Sequence, residues 1–202
     1  SRTLRDMNDW AVALIQYCES RDIRVKITRC PLLQKTSDAK YAYEINQSYL
    51  DDAVRVFPLR PFFTLSEIEF VKDAGIAAAG KKSVRWYTCL LEPILAGRDG
   101  EDIVRTLGVF LLDQNSSIIE TSKALFVHKN TVKYRIQKAG DILGFHIGDV
   151  PQSKNLIYAL SLQRIMNGHD LQRNITGINA PFIVLCNNER GETLSPHIMT
   201  VP

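Results

Sequence analysis

The segment from Ser117 to Gly144 constrains the fold most strongly, because it predicts two short helices separated by a very tight turn. Ser117 and Glu120 have the spacing of a capping box, in which each side chain can bind a backbone N–H of the other residue. A helix is therefore predicted to begin after Ser117 and to end near Leu125. Within it, Ile118, Ser122 and Leu125 are expected to share one face.

The predicted turn runs from Phe126 to His128 or Lys129, and the N-cap of the second helix is either His128 or Asn130; both choices remain open. One face of the second helix is predicted to be buried and consists of Val132, Ile136, Ala139 and Leu143. The opposite side presents polar residues: Lys129, Asn130, Thr131, Lys133, Tyr134 and Gln137.

Two short helices with a tight turn, the second helix being basic on its outer face, are typical of a helix-turn-helix. A helix fits the major groove of DNA, where lysine can reach guanine acceptors and asparagine or glutamine can pair with adenine. The N-terminus of the helix adds backbone donors and a partial positive charge for a phosphate. Tyr134 can donate to a phosphate or pack on a sugar.

The distribution of charge supports this interpretation more than the net charge does. The whole chain of 202 residues carries a formal charge of only +3, whereas residues 121–140 contain five lysines or arginines and no acid. A local basic stretch is what a phosphate backbone attracts. The alternative is a solvated helix face, which explains most runs of charge.

The segment LFVHKNTVKYRIQKAGDILG resembles the C-terminal helix-turn-helix of the PucR family, the purine-catabolism and sugar-diacid type of regulators. The family hallmark reads approximately LFVHRNTVRYRLRRIEELLG, and the resemblance extends over about residues 85–166. It implies sequence-specific DNA binding by a transcription regulator, usually an activator. The positions that it implies to be DNA-facing are Lys129, Asn130, Thr131, Lys133, Tyr134 and Arg135.

Three residues depart from the family pattern. Ser122 stands where alanine is common, and both residues are small. Lys133 replaces a common arginine, which keeps the charge but loses the bidentate fork. Gly140 stands where a good helix former is expected, at a cost of about 1 kcal/mol relative to alanine, so the helix is expected to kink or end there.

The sequence predicts an α+β fold, with a small mixed α/β region before an all-helical DNA-binding domain. Residues 6–75 faintly resemble the end of a degenerate cyclase-like domain, but they lack a GGDEF or GGEEF signature. The predicted domains are 1–80, 81–168 and a tail at 169–202, which has a possible hairpin through NNERG. Helices are predicted at 6–20, 35–56, 65–74, 83–95, 101–113 and 152–166, and strands at 23–29 and 62–64.

A nucleotide-handling enzyme or sensor is the main alternative, because GIAAAGK at residues 75–81 is close to a phosphate-binding loop. Lys82 stands where serine or threonine should hold magnesium, and the segment follows a helix, so a flexible interdomain linker is the preferred interpretation. The four histidines lack metal-ligand spacing, and neither a cofactor nor a catalytic site is predicted. A third possibility is an interaction module that has lost DNA binding.

The expected partner is double-stranded DNA, bound by a homodimer whose recognition helices lie about 34 Å apart. Four scattered cysteines and the absence of a long apolar run favour a cytoplasmic protein without a membrane span. The chain starts with Ser1 rather than methionine, which suggests a fragment. An effector is then expected to be sensed by a domain upstream of Ser1.

Overall fold

A computed structural model describes residues 4–23, 25–30, 35–60, 62–79, 81–171, 182–185 and 197–199. The chain divides into two compact units. The first contains residues 1–54, 59–72 and 172–202, and the second contains residues 55–58 and 73–171.

The first unit combines helices with a four-stranded sheet. Its elements are α1 (Leu4–Glu19), β1 (Lys26–Arg29), most of α2 (Thr36–Val56), β2 (Phe63–Thr64), the first half of α3 (Leu65–Ala79), β3 (Phe182–Leu185) and β4 (His197–Met199). The strand order is β2-β1-β3-β4, in which β1 pairs in parallel with β2 and β3, and β3 pairs antiparallel with β4. The predicted α+β class therefore holds for this unit.

The core of the first unit lies where α1 and α2 meet β1. Ala11, Ile15 and Ile27 form a buried cluster there. Thr28 on the same strand is fully buried, and its hydroxyl donates to the side-chain oxygen of Asn46 at 2.5 Å. The amide of Asn46 in turn donates to the carbonyl of Ala42, so both buried polar groups are satisfied.

Strands β3 and β4 come from the C-terminal part of the chain, for which the sequence predicts a tail with a possible hairpin. Residues 169–171 of this tail belong to α9. Strands β3 and β4 form an antiparallel pair, which extends the sheet through the pairing of β3 with β1. The NNERG segment proposed as the turn lies outside the described residues. The likeness of residues 6–75 to a cyclase-like domain stays a prediction, as do the proposed domain boundaries.

The second unit is helical in its described residues. Its elements are α4 (Lys81–Thr88), α5 (Glu92–Leu95), α6 (Gly100–Gly108), a π-helix (Val109–Asp113), α7 (Ile118–Leu125), α8 (Lys129–Leu143) and α9 (Val150–Leu171). Helix α8 packs on α5, α6 and α7, while α9 packs on α4 and α6. The core is made of fully buried aliphatic side chains, which include Ile94, Ile103, Leu107, Val132, Leu156 and Leu160.

Two predictions about this part of the chain were wrong. The expected linker at residues 75–82 is helical in its described part, because α3 continues to Ala79 through three alanines of high helix propensity. The single helix at 83–95 is broken after Thr88, and α5 restarts with Pro93 in its first turn, where proline is tolerated. The helix predicted at 101–113 is present, and its last part, from Val109, is a π-helix.

Candidate nucleic-acid interface

The turn between α7 and α8 consists of Phe126, Val127 and His128. Phe126 ends α7 in the left-handed conformation, with φ of 54°, and Val127 N–H donates to the Ser122 carbonyl at 3.0 Å. His128 is extended, and its Nδ1 accepts from the backbone N–H of Asn130 at 3.2 Å. The structure thus selects His128 as the N-cap of α8 from the two candidates that the sequence left open.

The start of α7 confirms half of the predicted capping box. The Ser117 hydroxyl accepts from the backbone N–H of Glu120 at 3.3 Å. The Glu120 carboxylate pairs instead with Lys123, at 2.8 Å. The packing face of α7 is centred on Thr121, which is fully buried, whereas the expected residues Ile118 and Leu125 are only half-buried.

The packing face of α8 agrees with the prediction. Val132 and Ala139 are fully buried, and Ile136 and Leu143 are half-buried. These residues follow helical spacing along one side, so α8 is anchored to its neighbours by an apolar stripe. Its other side is free to carry polar residues.

Five of the predicted site residues share the outer side of α8, which we call the recognition face: Lys129, Asn130, Lys133, Tyr134 and Gln137. All five are exposed, and Tyr134 keeps 58% of its surface. Gln137 donates to the carboxylate of Asp141 at 3.0 Å. Thr131, also predicted to face DNA, is half-buried at the first turn of the helix.

Arg135 does not belong to the recognition face. Its guanidinium pairs with the carboxylate of Asp102 on α6 and donates to the Thr106 hydroxyl at 3.2 Å. Only 17% of the Arg135 side chain is exposed. Because both partners are side chains of α6, Arg135 joins α8 to α6 in this structure, and its role at DNA stays a prediction.

Lys138 makes a second connection between α8 and the start of α6. Its ammonium lies 2.7 and 2.8 Å from the two carboxylate oxygens of Asp99. The hydrogen bond from Lys138 lowers the pKa of Asp99, and the same bond raises the pKa of Lys138. A carboxyl group whose folded pKa is lowered adds stability above its unfolded pKa, and an ammonium whose folded pKa is raised adds stability below its unfolded pKa. The pair is therefore intact at neutral pH and is lost both in acid, as Asp99 is protonated, and in strong alkali, as Lys138 loses its proton.

Sequence reasoning did not identify Asp99 or Asp102 as part of this region. They belong to GRDGED, which predicts a turn that opens a helix, and they lie 39 and 33 residues before their partners. Only the packing of α6 against α8 brings these charges together. Lys138 was counted in the basic stretch, but its pairing could not be predicted from spacing.

Gly140 does not kink or end the helix, contrary to the expectation from propensity. Helix α8 continues to Leu143 and is closed by Gly144, whose φ is +76°. A Cβ at position 140 would lie 3.0 Å from the carbonyl oxygen of Phe145. Gly140 therefore makes room for the chain that folds back after the helix, which explains why a better helix former is absent.

The alternatives that need a metal ion or a phosphate loop find no support in the described residues. Within the described residues, no cluster of three or more histidine, cysteine or acidic side chains could hold a metal ion. The segment that resembled a phosphate loop is helical over residues 75–79, whereas such a loop must leave backbone N–H groups open to phosphate. None of the described helices is both long and apolar enough to cross a membrane.

Comparisons with known proteins bear directly on this pair of helices. A family model described as the PucR C-terminal helix-turn-helix domain matches residues 103–162, which run from α6 into α9. The purine catabolism regulatory protein of Bacillus subtilis (strain 168) is 36% identical over 85 residues. That match covers 41% of this chain and 16% of the relative. No solved structure matches the chain significantly. The resemblance to PucR regulators is thereby confirmed.

Proposed function

We propose that this chain, which carries the PucR-type helix-turn-helix domain, is the DNA-binding part of a transcription regulator and that α8 enters the major groove. The observation that carries the proposal is the exposure of the recognition face on a helix whose opposite side is anchored by Val132 and Ala139. A rigid helix of this kind can place several side chains on base edges at once.

The proposed roles follow from side-chain chemistry. Asn130 and Gln137 carry amides that can pair with adenine, and Lys133 can reach the acceptors of guanine. Lys129 lies at the positive end of the helix dipole of α8, a position that suits a phosphate. Tyr134 offers a hydroxyl to the backbone of the DNA. Asn130 and Lys133 are the residues that we expect to discriminate between bases.

We further propose that DNA is bound by a homodimer, as two recognition helices would read half-sites about 34 Å apart. The full-length relative is named as a regulator of purine catabolism. We also propose that the regulator is cytoplasmic and that its effector is sensed by a separate domain, for which the much longer relative offers room.

The experiment is fluorescence anisotropy with duplexes from the promoter region of the chain's own gene and with scrambled duplexes, over a series of salt concentrations. The wild-type chain should prefer the promoter. Lys133→Ala should reduce the slope of log K against log salt by roughly 0.9, because the variant has one positive charge fewer in the groove and releases one counterion fewer from the DNA. Lys154→Ala is the matched control, since Lys154 is an exposed lysine on α9, outside the helix-turn-helix.

Base discrimination is tested with Asn130→Ala on the same duplexes. Loss of a good bidentate contact should cost about 1–3 kcal/mol on the promoter and little on the scrambled DNA. Flat, weak binding of every duplex by the wild-type chain, including at protein concentrations that permit dimers, would reject the proposal. An interaction module would then be preferred, for which the exposed Phe126 offers the first residue to substitute.

A further inference from the structure

We propose that Asp99 and Asp102 hold Lys138 and Arg135 away from DNA phosphates, and that this pairing limits binding to non-specific sequences. The inference rests on the proposed DNA binding and adds a specificity determinant on α6, which is outside the recognition helix. Both acids are positioning residues, because they act on DNA binding through the two cations that they hold.

Three of the five cations in residues 121–140 are already neutralised within the chain. Lys123 pairs with Glu120, Arg135 with Asp102 and Lys138 with Asp99. In the described part of the chain, Lys129 and Lys133 make no ion pair, and both lie on the recognition face. The free positive charge of α8 is therefore concentrated on the side that would read bases.

Of the two cations that pair with acids of the α6 region, Lys138 is the one that DNA could recruit more readily. Its side chain is 35% exposed and that of Asp99 is 36% exposed, so the pair lies at the surface. The Lys138 ammonium also lies 5.7 Å from the centre of the Tyr134 ring, which belongs to the recognition face. A phosphate that approaches Tyr134 would thus meet Lys138 at the edge of the interface.

Asp99 is used in an unusual way for its position. It is the N-cap residue of α6, where an aspartate side chain normally accepts from the backbone N–H groups of the first turn. Here its carboxylate makes no such capping bond and is held by Lys138 instead. The capping hydrogen bond of α6 is absent, and the Asp99 carboxylate contacts α8 instead.

The consequence for specificity follows from the salt dependence of DNA binding. Non-specific affinity is supplied almost entirely by phosphate contacts and rises with the number of phosphates neutralised. A regulator is useful through the ratio of specific to non-specific affinity, since competing sites vastly outnumber its targets. Because Lys138 and Arg135 are paired with acids, the affinity for non-specific DNA is lower, while the contacts with bases are unchanged.

The test is Asp99→Asn in the full chain, measured by anisotropy on a scrambled duplex over a salt series. Released Lys138 should make the slope of log K against log salt steeper by roughly 0.9 and tighten non-specific binding. Glu101→Gln is the matched control. Glu101 lies in the same turn of α6, is exposed and makes no ion pair in the described structure, so its slope should equal that of the wild type.

Two further variants test the proposal even if Asp99→Asn perturbs the fold. Lys138→Gln alone should leave the wild-type slope unchanged, because Lys138 is held by Asp99 and does not reach a phosphate. Adding Lys138→Gln to Asp99→Asn should restore the wild-type slope. A slope reduced by roughly 0.9 in Lys138→Gln alone would overturn the inference. So would equal slopes in Asp99→Asn and Glu101→Gln.

Failure of the inference can be told from failure of the proposed function. If the wild-type chain prefers its promoter and Lys133→Ala lowers the slope, DNA binding stands and only the role of Asp99 is in question. If the wild-type chain binds no duplex, both proposals are rejected together.

Discussion

Phe126 combines two features that are costly for an ordinary residue in a turn. It adopts the left-handed conformation, and 96% of its side chain is exposed. A left-handed backbone costs a residue with a Cβ about 1–2 kcal/mol, whereas glycine adopts it readily. The fold gains nothing from burying the phenyl group, so the side chain at this position is not explained by stability.

Replacement of Phe126 by glycine is therefore expected to stabilise the chain. Relief of the left-handed strain should exceed the extra backbone entropy of glycine, for a net gain of about 0.5–1 kcal/mol in thermal or urea unfolding. Phe126→Ala is the matched control, because alanine keeps the strain and removes the same exposed ring. A glycine variant no more stable than the alanine variant would contradict this account.

Gly140 leads to the opposite expectation for a substitution in a helix. Helix propensity alone predicts that Gly140→Ala gains about 1 kcal/mol. The 3.0 Å approach of the added Cβ to the Phe145 carbonyl should cancel this gain, because that carbonyl belongs to the backbone that turns back after α8. We expect Gly140→Ala to be neutral or destabilising in urea unfolding. A stabilised variant would show that the neighbouring chain yields without cost.

For individual residues, the features that could be predicted from the sequence are those that depend on the spacing of nearby residues. The buried side of α8, the hydroxyl cap of Ser117 and the exposed polar face all follow from the 3.6-residue period and from capping chemistry. The role of Arg135 could not be predicted in this way. It faces Asp102, whose position depends on the packing of α6, and a basic residue in a basic helix gives no indication of which cations are already paired.

Among the helical elements, the π-helix at Val109–Asp113 is the one that sequence patterns could not anticipate. It follows α6 directly and leads into Asn115 and Ser116, both of which have positive φ. The side chain of Asp113 is fully buried, and its carboxylate pairs with Arg164 of α9 at 2.8 Å. Arg164 also donates to the Val56 carbonyl. This widened turn thus places a buried carboxylate opposite an arginine 51 residues later.

Loss of Asp113 is expected to be among the most damaging single changes in the second unit. Asp113→Ala leaves the Arg164 guanidinium, only 20% exposed, without its carboxylate and should cost about 3–5 kcal/mol in urea unfolding. A double variant, Asp113→Leu with Arg164→Met, is the control, since replacing a buried pair by apolar residues is often neutral. Equal losses in both variants would show that packing at the site matters more than charge.

Over the whole chain, the sheet depends on residues far apart in sequence. Strand β3 lies between β1 and β4, so strands from the N-terminal and the C-terminal parts of the described chain share one sheet. Residues 182–185, FIVL, are an apolar run, but no local pattern specifies which strand this run pairs with. Parallel pairing of β1 with β3 is set by topology, and the register joins Lys26 to Phe182 and Arg29 to Leu185.

Removal of residues 172–202 is consequently expected to affect the two units unequally. β1 would lose its partner β3, leaving a row of backbone groups unpaired beside the fully buried Ile27 and Thr28. The first unit should unfold at a lower temperature in calorimetry. Binding of promoter DNA should persist, because α6 to α9 lie in the other unit.

Val184→Pro, which removes one backbone donor from β3 in the full-length chain, should lower the unfolding temperature of the first unit by a smaller amount. Loss of DNA binding together with the sheet in both variants would show that the helix-turn-helix requires the first unit in order to fold.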